Sequence, residues 1–171
     1  MRILVTGTAG FIGSHVTHVL LGRDDEVIGL DNLNDYYDPT LKHARLARLQ
    51  ALPGYTHVTA DLADRAAVEE AFAKYKPQRV VHLAAQAGVR YAAENPHVYV
   101  SSNVTGFLHV LEGCRSHDVE HLVFASTSSI YGANTRMPYS EHVSTEHPLT
   151  LYAATKKANE MMAHSYAHLY G

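Results

Sequence analysis

The stretch Ile3-Leu4-Val5-Thr6-Gly7-Thr8-Ala9-Gly10-Phe11-Ile12-Gly13 passes from a short apolar run into three glycines, each separated by two residues, and then into a helical pattern over about Phe11 to Leu21. An apolar run without polar alternation reads as a strand buried on both faces. Glycines between such a strand and a helix let the backbone approach a pyrophosphate, whose charge then lies at the positive end of the helix. A plain tight turn uses the same residues, so the surroundings decide. A second apolar run, Glu26 to Asp31, ends in a carboxylate 18 residues after Gly13. Asp31 can accept both hydroxyls of an adenosine ribose and would repel a 2′-phosphate. No arginine follows it closely in the sequence, so NAD is expected in preference to NADP.

The same alternation continues along the chain. An amphipathic stretch with Leu41, Leu46 and Leu49 follows a polar, aromatic loop from Asn32 to Pro39, and Pro53-Gly54 turns into a third strand near Tyr55 to Thr59. A helix is expected from about Arg65 to Tyr75, a fourth strand over Arg79 to Leu83, and a long helix from Asn95-Pro96 to about Arg115 with Asn95 as its cap. A fifth strand covers His121 to Ala125, and a last helix opens at Pro148 and runs to Tyr170. Strands alternating with crossover helices predict an α/β, Rossmann-type doubly wound parallel sheet of order 3-2-1-4-5. No linker or repeat divides residues 1–171, which read as one incomplete NAD-binding domain: Gly171 falls where a helix cap would turn into a sixth strand.

With 46% hydrophobic and 18% charged residues, the composition is that of an ordinary soluble globular protein. A net charge of -3 gives no electrostatic case for nucleic acid or an anionic membrane. The single cysteine, Cys114, excludes an intrachain disulfide, and the apolar amino terminus is too short for a signal peptide or a membrane span, so a cytoplasmic protein is expected. The 13 histidines include helical pairs, His15/His18 and His164/His168, but neither has an evident third ligand, so no metal site is expected. His82, inside an apolar run, reads as a core residue.

Three later segments carry chemistry. Asp61-Leu62, after the third strand, suits an adenine contact or a helix cap. Leu83-Ala84-Ala85-Gln86-Ala87-Gly88 is a small-residue bend that leaves room for a cofactor or for close helix packing. Ser126-Thr127-Ser128-Ser129 closes the fifth strand at the carboxyl edge of the sheet, where ligands of such sheets bind. Tyr152 and Lys156 are four residues apart, so a helix sets phenol and ammonium on one face. An isolated tyrosine is only about 0.1% phenolate at neutral pH. A lysine one turn away, together with a cationic nicotinamide, can supply the missing stabilisation.

The glycine motif, Asp31, the His82-Leu83-Ala84-Ala85 bend, Asn103, Thr127 and Tyr152-x3-Lys156 resemble the extended short-chain dehydrogenase/reductase superfamily, nucleotide-sugar branch. Within it, Asp31 to Asp38, Gln86 to Tyr91 and Leu151 to Glu160 are similar to the UDP-glucuronate 4-epimerases. The resemblance implies an NAD cofactor held by Gly7, Gly10, Phe11, Ile12, Gly13, Asp31, Asn32, Asp61, Leu62, Leu83, Ala84, Ala85, Asn103, Tyr152 and Lys156. It implies a UDP-sugar contacted by Gln86, Arg90, Thr127, Ser128 and Ser129. Tyr152 would take the proton from the sugar 4-hydroxyl, Thr127 would bond that hydroxyl, and Lys156 would stabilise the phenolate and hold the nicotinamide ribose. Hydride transfer from C4 to NAD and back to the other face would then epimerise the sugar without net redox.

Related dehydratases and decarboxylases carry an acidic residue shortly after the catalytic Ser or Thr. Ser128 and Ser129 stand there instead, and hydroxyls are poor bases, which argues for epimerisation alone. Serines can also bond a uronate carboxylate without repelling it. The resemblance further implies that the residues gripping uracil and diphosphate lie in a second half beyond this sequence, and that the long helices near 97–115 and 149–170 pair in a homodimer. The rival readings are a UDP-hexose 4-epimerase and a catalytically inactive NAD-binding or dimerisation module.

Overall fold

A computed structural model describes residues 1–134 and 136–171. It holds a five-stranded parallel sheet in the order β3-β2-β1-β4-β5, the order expected from the sequence. The strands are β1 (Arg2–Thr6), β2 (Glu26–Asp31), β3 (Tyr55–Thr59), β4 (Arg79–His82) and β5 (His121–Phe124). Between them run α1 (Phe11–Leu21), α2 (Pro39–Gln50) and α3 (Arg65–Tyr75), then the short α4 (Tyr91–Glu94) and α5 (Pro96–Tyr99), and α6 (Gly106–Ser116). The last helix is α7 (Leu151–Tyr170).

Both faces of the inner strands are covered, which is why β1 and β2 are apolar without alternation, whereas at the edge Val123 of β5 is 49% exposed. Leu4, Ile28, Leu30 and Val80 face one layer with Val68 and Phe72 of α3 and Val110 of α6. Ile3, Val5 and Val27 face the other with Leu21 of α1 and Leu49 of α2. Each such fully buried aliphatic or aromatic side chain contributes roughly 1.5–3 kcal/mol. Parallel pairing puts Thr6 beside Leu30 and His82, so the carboxyl ends of β1, β2 and β4 share one edge.

Three local features differ from expectation. In α2 the buried positions are Lys42, Leu46 and Leu49, whereas Leu41 is exposed. The spacing of 42, 46 and 49 is the helical one, and a lysine occupies its first place. The helix over residues 96–116 is not uniform: Val100–Thr105 forms a wider π-helical turn, and Asn95 makes no side-chain cap but donates to the Tyr91 hydroxyl (3.3 Å). The last helix starts at Leu151 rather than at Pro148, because the Thr150 hydroxyl accepts from the Ala153 N–H (3.1 Å) and sets the first turn. No helix among the described residues is long and apolar enough to cross a membrane.

Candidate active site

A cavity of about 350 Å³ opens at the shared carboxyl edge. Gly7, Gly10, Phe11, Ile12 and Gly13 line it, as do Asp31, Asn32, Asp61, Leu62, Leu83, Ala84, Ala85 and Gln86. The glycines are there for space. Gly7 has φ +77°, and a Cβ on it would lie 2.8 Å from the Ala84 nitrogen; a Cβ on Gly13 would lie 2.7 Å from the Gly7 carbonyl carbon. Helices α2, α3 and α7 have side-chain caps from Asp38, Asp64 and Thr150, but α1 follows Gly10 with none and has no acidic residue in its first turn. Its amino-terminal dipole is therefore left for an anion. This small-residue cradle fits the pyrophosphate of a dinucleotide.

Asp31 is buried, and its two oxygens accept from the N–H groups of Ala9 (3.0 Å) and Leu33 (2.9 Å). Each oxygen keeps acceptor capacity, so the carboxylate can tie down the glycine loop and still meet two ribose hydroxyls. Asp61 does not cap α3: Asp64 does, accepting from Ala66 and Ala67. Instead Asp61 accepts from Asn32 Nδ2 (3.0 Å) and from the Ala63 N–H (2.8 Å), which fixes the cavity's outer side.

The sequence reading missed two cations at this end. Lys42 lines the cavity and donates to the carbonyl (2.7 Å) and the side-chain oxygen (2.6 Å) of Asn34, with its ammonium 4.7 Å from the Tyr37 ring centre. Desolvation lowers its pKa, against the attraction of Asp31 and Asp35. Arg45 reaches the Ala9 carbonyl (3.4 Å). The absence of a nearby arginine in the sequence thus does not carry over into space, because α2 folds back over the loop. Asp31 alone remains as the argument against a 2′-phosphate.

Below the cavity, Thr6 Oγ1 accepts from the N–H groups of Leu83 (3.2 Å) and Ala84 (3.1 Å) and lies 2.9 Å from His82 Nδ1. With its lone pairs engaged by the two amides, the hydroxyl donates to Nδ1. Burial, helped by the Lys156 charge, pushes the His82 pKa down to about 3. A neutral core histidine thus pins the small-residue bend.

Tyr152 sits in the first turn of α7, half-buried, with its ring edge-on to that of Tyr99 at 6.2 Å. One turn on, Lys156 is buried (2% exposed), and among the described residues no side-chain hydrogen bond or ion pair engages its ammonium. Desolvation lowers its pKa to about 8, with Glu160 opposing. An unpaired buried ammonium is costly unless something else comes to it. Thr127 lies three residues beyond β5, where its hydroxyl accepts from the Ser129 N–H (3.2 Å) and caps a short turn over Ser128–Tyr131. Accepting that bond leaves the hydroxyl proton free to be donated.

Glu160 locks this turn to α7. One of its oxygens accepts from Ser126 Oγ (2.6 Å), the other from Lys157 (3.1 Å), and Lys157 also donates to Thr145 (2.6 Å). The sequence shows Ser126 only as part of the hydroxyl cluster and Glu160 only as the end of the Leu151 to Glu160 stretch; the 34 residues between them hide the contact.

Some expected site residues lie off the cavity. Tyr152, Lys156, Thr127, Ser128, Ser129 and Arg90 do not line it; its boundary on that side is formed by Gln86, Ser102 and Ala125. Arg90 is exposed at the start of α4. Asn103 is buried behind the wall, bonded through Oδ1 to the Gln86 N–H (2.8 Å) and through Nδ2 to the Gln86 carbonyl (3.0 Å) and Thr155 Oγ1 (3.1 Å). Both its N–H donors are spent on protein, where it braces Gln86 against α7, and its Oδ1 keeps one acceptor site. Asn159 completes the brace by donating to the Asn103 carbonyl (2.7 Å).

A family model described as the NAD dependent epimerase/dehydratase family matches residues 3–171. The chain belongs to that family. Among curated members it is 53% identical to a probable UDP-glucuronate 4-epimerase of Rhizobium meliloti, over 99% of this chain and 50% of that protein. It is also 53% identical to UDP-glucuronate 4-epimerase 3 of Arabidopsis thaliana, over 99% of this chain and 39% of that protein. Among solved structures, UDP-glucuronic acid 4-epimerase from Bacillus cereus, in complex with UDP-glucuronic acid and NAD, superposes with a TM-score of 0.90 at 31% identity, covering 99% of this chain and 53% of that one. UDP-glucose 4-epimerase from Thermus thermophilus, in complex with NAD, gives 0.86 at 40% identity, covering 100% and 52%. This epimerase/dehydratase family chain spans about half the length, or less, of these relatives.

Proposed function

We propose that this chain is the NAD-binding domain of a UDP-sugar 4-epimerase whose substrate is UDP-glucuronate. The observation that carries the reading is the buried Lys156, its ammonium without a partner among the described residues, one turn after Tyr152 on a helix locked by Glu160 and Ser126 to the turn that bears Thr127. The glycine loop and the α1 amino terminus would hold the pyrophosphate of NAD, and Asp31 the adenosine ribose. Lys156 would hold the nicotinamide ribose and stabilise the Tyr152 phenolate. The bound cofactor supplies a reversible hydride acceptor at the sugar C4.

The protein's own groups handle the proton. Tyr152 accepts it from the 4-hydroxyl and later returns it, while Thr127 donates a hydrogen bond to the same oxygen. Beyond Thr127 stand only Ser128 and Ser129, and a hydroxyl is too weak a base for the further proton abstraction that elimination would require. The curated relatives named for UDP-glucuronate support the uronate, and the solved UDP-glucose 4-epimerases support a hexose as the second reading. Pairing through α6 and α7 as a homodimer belongs to the same proposal, as does a cytoplasmic location. The half-buried Cys114 thiol, pushed up to about 12 by desolvation, suits a protein without disulfides.

The test is incubation of the full-length protein with UDP-glucuronate and separation of the products. UDP-galacturonate is expected from the wild type and not from Tyr152→Phe, which keeps the ring but not the ionisable oxygen. UDP-xylose, a stable 4-keto sugar, or full activity of Tyr152→Phe would overturn the reading.

A further inference from the structure

A row of tyrosines crosses the domain from the loop after β2 to Tyr152. Tyr36, which lines the cavity, lies 4.9 Å from Tyr91; Tyr91 lies 6.3 Å from Tyr99; and Tyr99 lies 6.2 Å from Tyr152 at an interplanar angle of 77°. These centroid distances are those of interacting aromatic pairs. Tyr99 is the largest fully buried side chain of the domain and immediately precedes the π-helical turn. Its single hydroxyl proton is shared between the carbonyls of Ala87 (3.0 Å) and Gly88.

Gly88 stands between the two ends of the row. Its φ is +97°, and a Cβ placed there would collide with the Tyr36 hydroxyl and lie 3.7 Å from that of Tyr99. The Tyr36 hydroxyl therefore rests on the same backbone unit whose carbonyl holds Tyr99. One packed path joins the cavity's adenosine side to the catalytic helix: Tyr36, Gly88, Tyr99, Tyr152.

We propose that Tyr99 is a positioning residue for Tyr152, and that Tyr36, resting on Gly88, sets Tyr99 in place. This rests on the reading of Tyr152 as the base. An edge-on neighbour restricts rotation of the Tyr152 ring, and the bonds to Ala87 and Gly88 keep that neighbour from turning. Burial and the adjacent phenols Tyr36, Tyr91 and Tyr152 raise the Tyr99 pKa, so it stays protonated and continues to donate. Tyr36 is 42% exposed, so changing its hydroxyl leaves the core intact.

The experiment compares full-length wild type with Tyr99→Phe, Tyr36→Phe and the double variant, reading kcat and KM for UDP-glucuronate and the NAD dissociation constant. Because a misplacement of about 1 Å at a reacting group can cost up to about a hundredfold, Tyr99→Phe is expected to lower kcat about tenfold. KM and NAD affinity should stay within about twofold. Tyr36→Phe should lower kcat less, and the double variant should be no slower than Tyr99→Phe. An unchanged kcat in Tyr99→Phe, or a double variant equal to the product of the singles, overturns the proposal.

A second readout needs no substrate. The near-ultraviolet circular dichroism difference between wild type and Tyr152→Phe isolates Tyr152, and the same difference taken in the Tyr99→Phe background should be diminished. An identical difference overturns the proposal. If the wild type fails to convert UDP-glucuronate while the Tyr152 signal still depends on Tyr99, the substrate reading falls and the positioning stands.

Discussion

Replacing Lys156 by methionine should make the protein more stable while abolishing its function. Lys156 is 2% exposed, its ammonium has no hydrogen-bond or ion-pair partner among the described residues, and burial brings its pKa from 10.5 to about 8. At about 1.4 kcal/mol per tenfold change in proton affinity, the native state at pH 7 carries a penalty of about 3 kcal/mol for keeping this charge. Methionine fills nearly the same volume without the charge, so most of that penalty is returned.

The sign with pH follows from linkage. The folded pKa lies below the unfolded one, so between pH 8 and 10.5 the unfolded chain binds more protons and wild-type stability rises with pH. The advantage of Lys156→Met should therefore fall from about 3 kcal/mol at pH 7 to about 1 kcal/mol at pH 10. Urea denaturation of both proteins at the two pH values measures this, and taking the difference cancels other titrating groups. A variant less stable than wild type at pH 7, or an advantage independent of pH, would refute the reasoning. A stabilising loss of function is the signature of a residue kept for chemistry.

Two further substitutions test the cofactor cradle. Asp31→Ala removes the proposed ribose acceptor and leaves the Ala9 and Leu33 amides without their partner. At about 1.5–3 kcal/mol for a hydrogen bond to a charged group, NAD affinity should fall roughly tenfold to a hundredfold. NADP, with Lys42 beside it and the repelling carboxylate gone, should lose much less; titration of both cofactors checks this, and an unchanged preference would take Asp31 off the ribose. Gly13→Ala places a methyl against the Gly7 carbonyl, which can be relieved only by moving α1 off the loop. It should cost about 1–3 kcal/mol in thermal unfolding and weaken NAD binding, whereas wild-type values for both would mean that the close approach is not needed.

The framework of the fold was legible because it depends on local signals. Unalternated runs such as Val27 to Leu30 mark strands covered on both faces, and glycines after β1 mark where α1 approaches the loop closely. Element boundaries failed where one side chain decided: Thr150, not Pro148, starts α7, and Asn95 bonds Tyr91 rather than capping a helix. The site was legible as a set of residue types but not as a set of contacts. Nothing in the sequence reports the three bonds by which Asn103 braces Gln86 against Thr155. Lys42 is a cation on an otherwise apolar helical face, and its spacing with Leu46 and Leu49 is the one sequence signal that points to it. The bonds from Ser126 to Glu160 and from Arg45 to Ala9 join residues far apart in the chain, and no periodicity reports them.

The central claim is that Tyr152 works on the 4-hydroxyl while the hydrogen on C4 stays within the site throughout. UDP-glucuronate carrying deuterium at C4, incubated with the full-length protein in ordinary water, tests this most directly. The account predicts UDP-galacturonate that retains the label at C4, with none released to solvent. Loss of the label to water, or its appearance in a decarboxylated or dehydrated sugar, would contradict it.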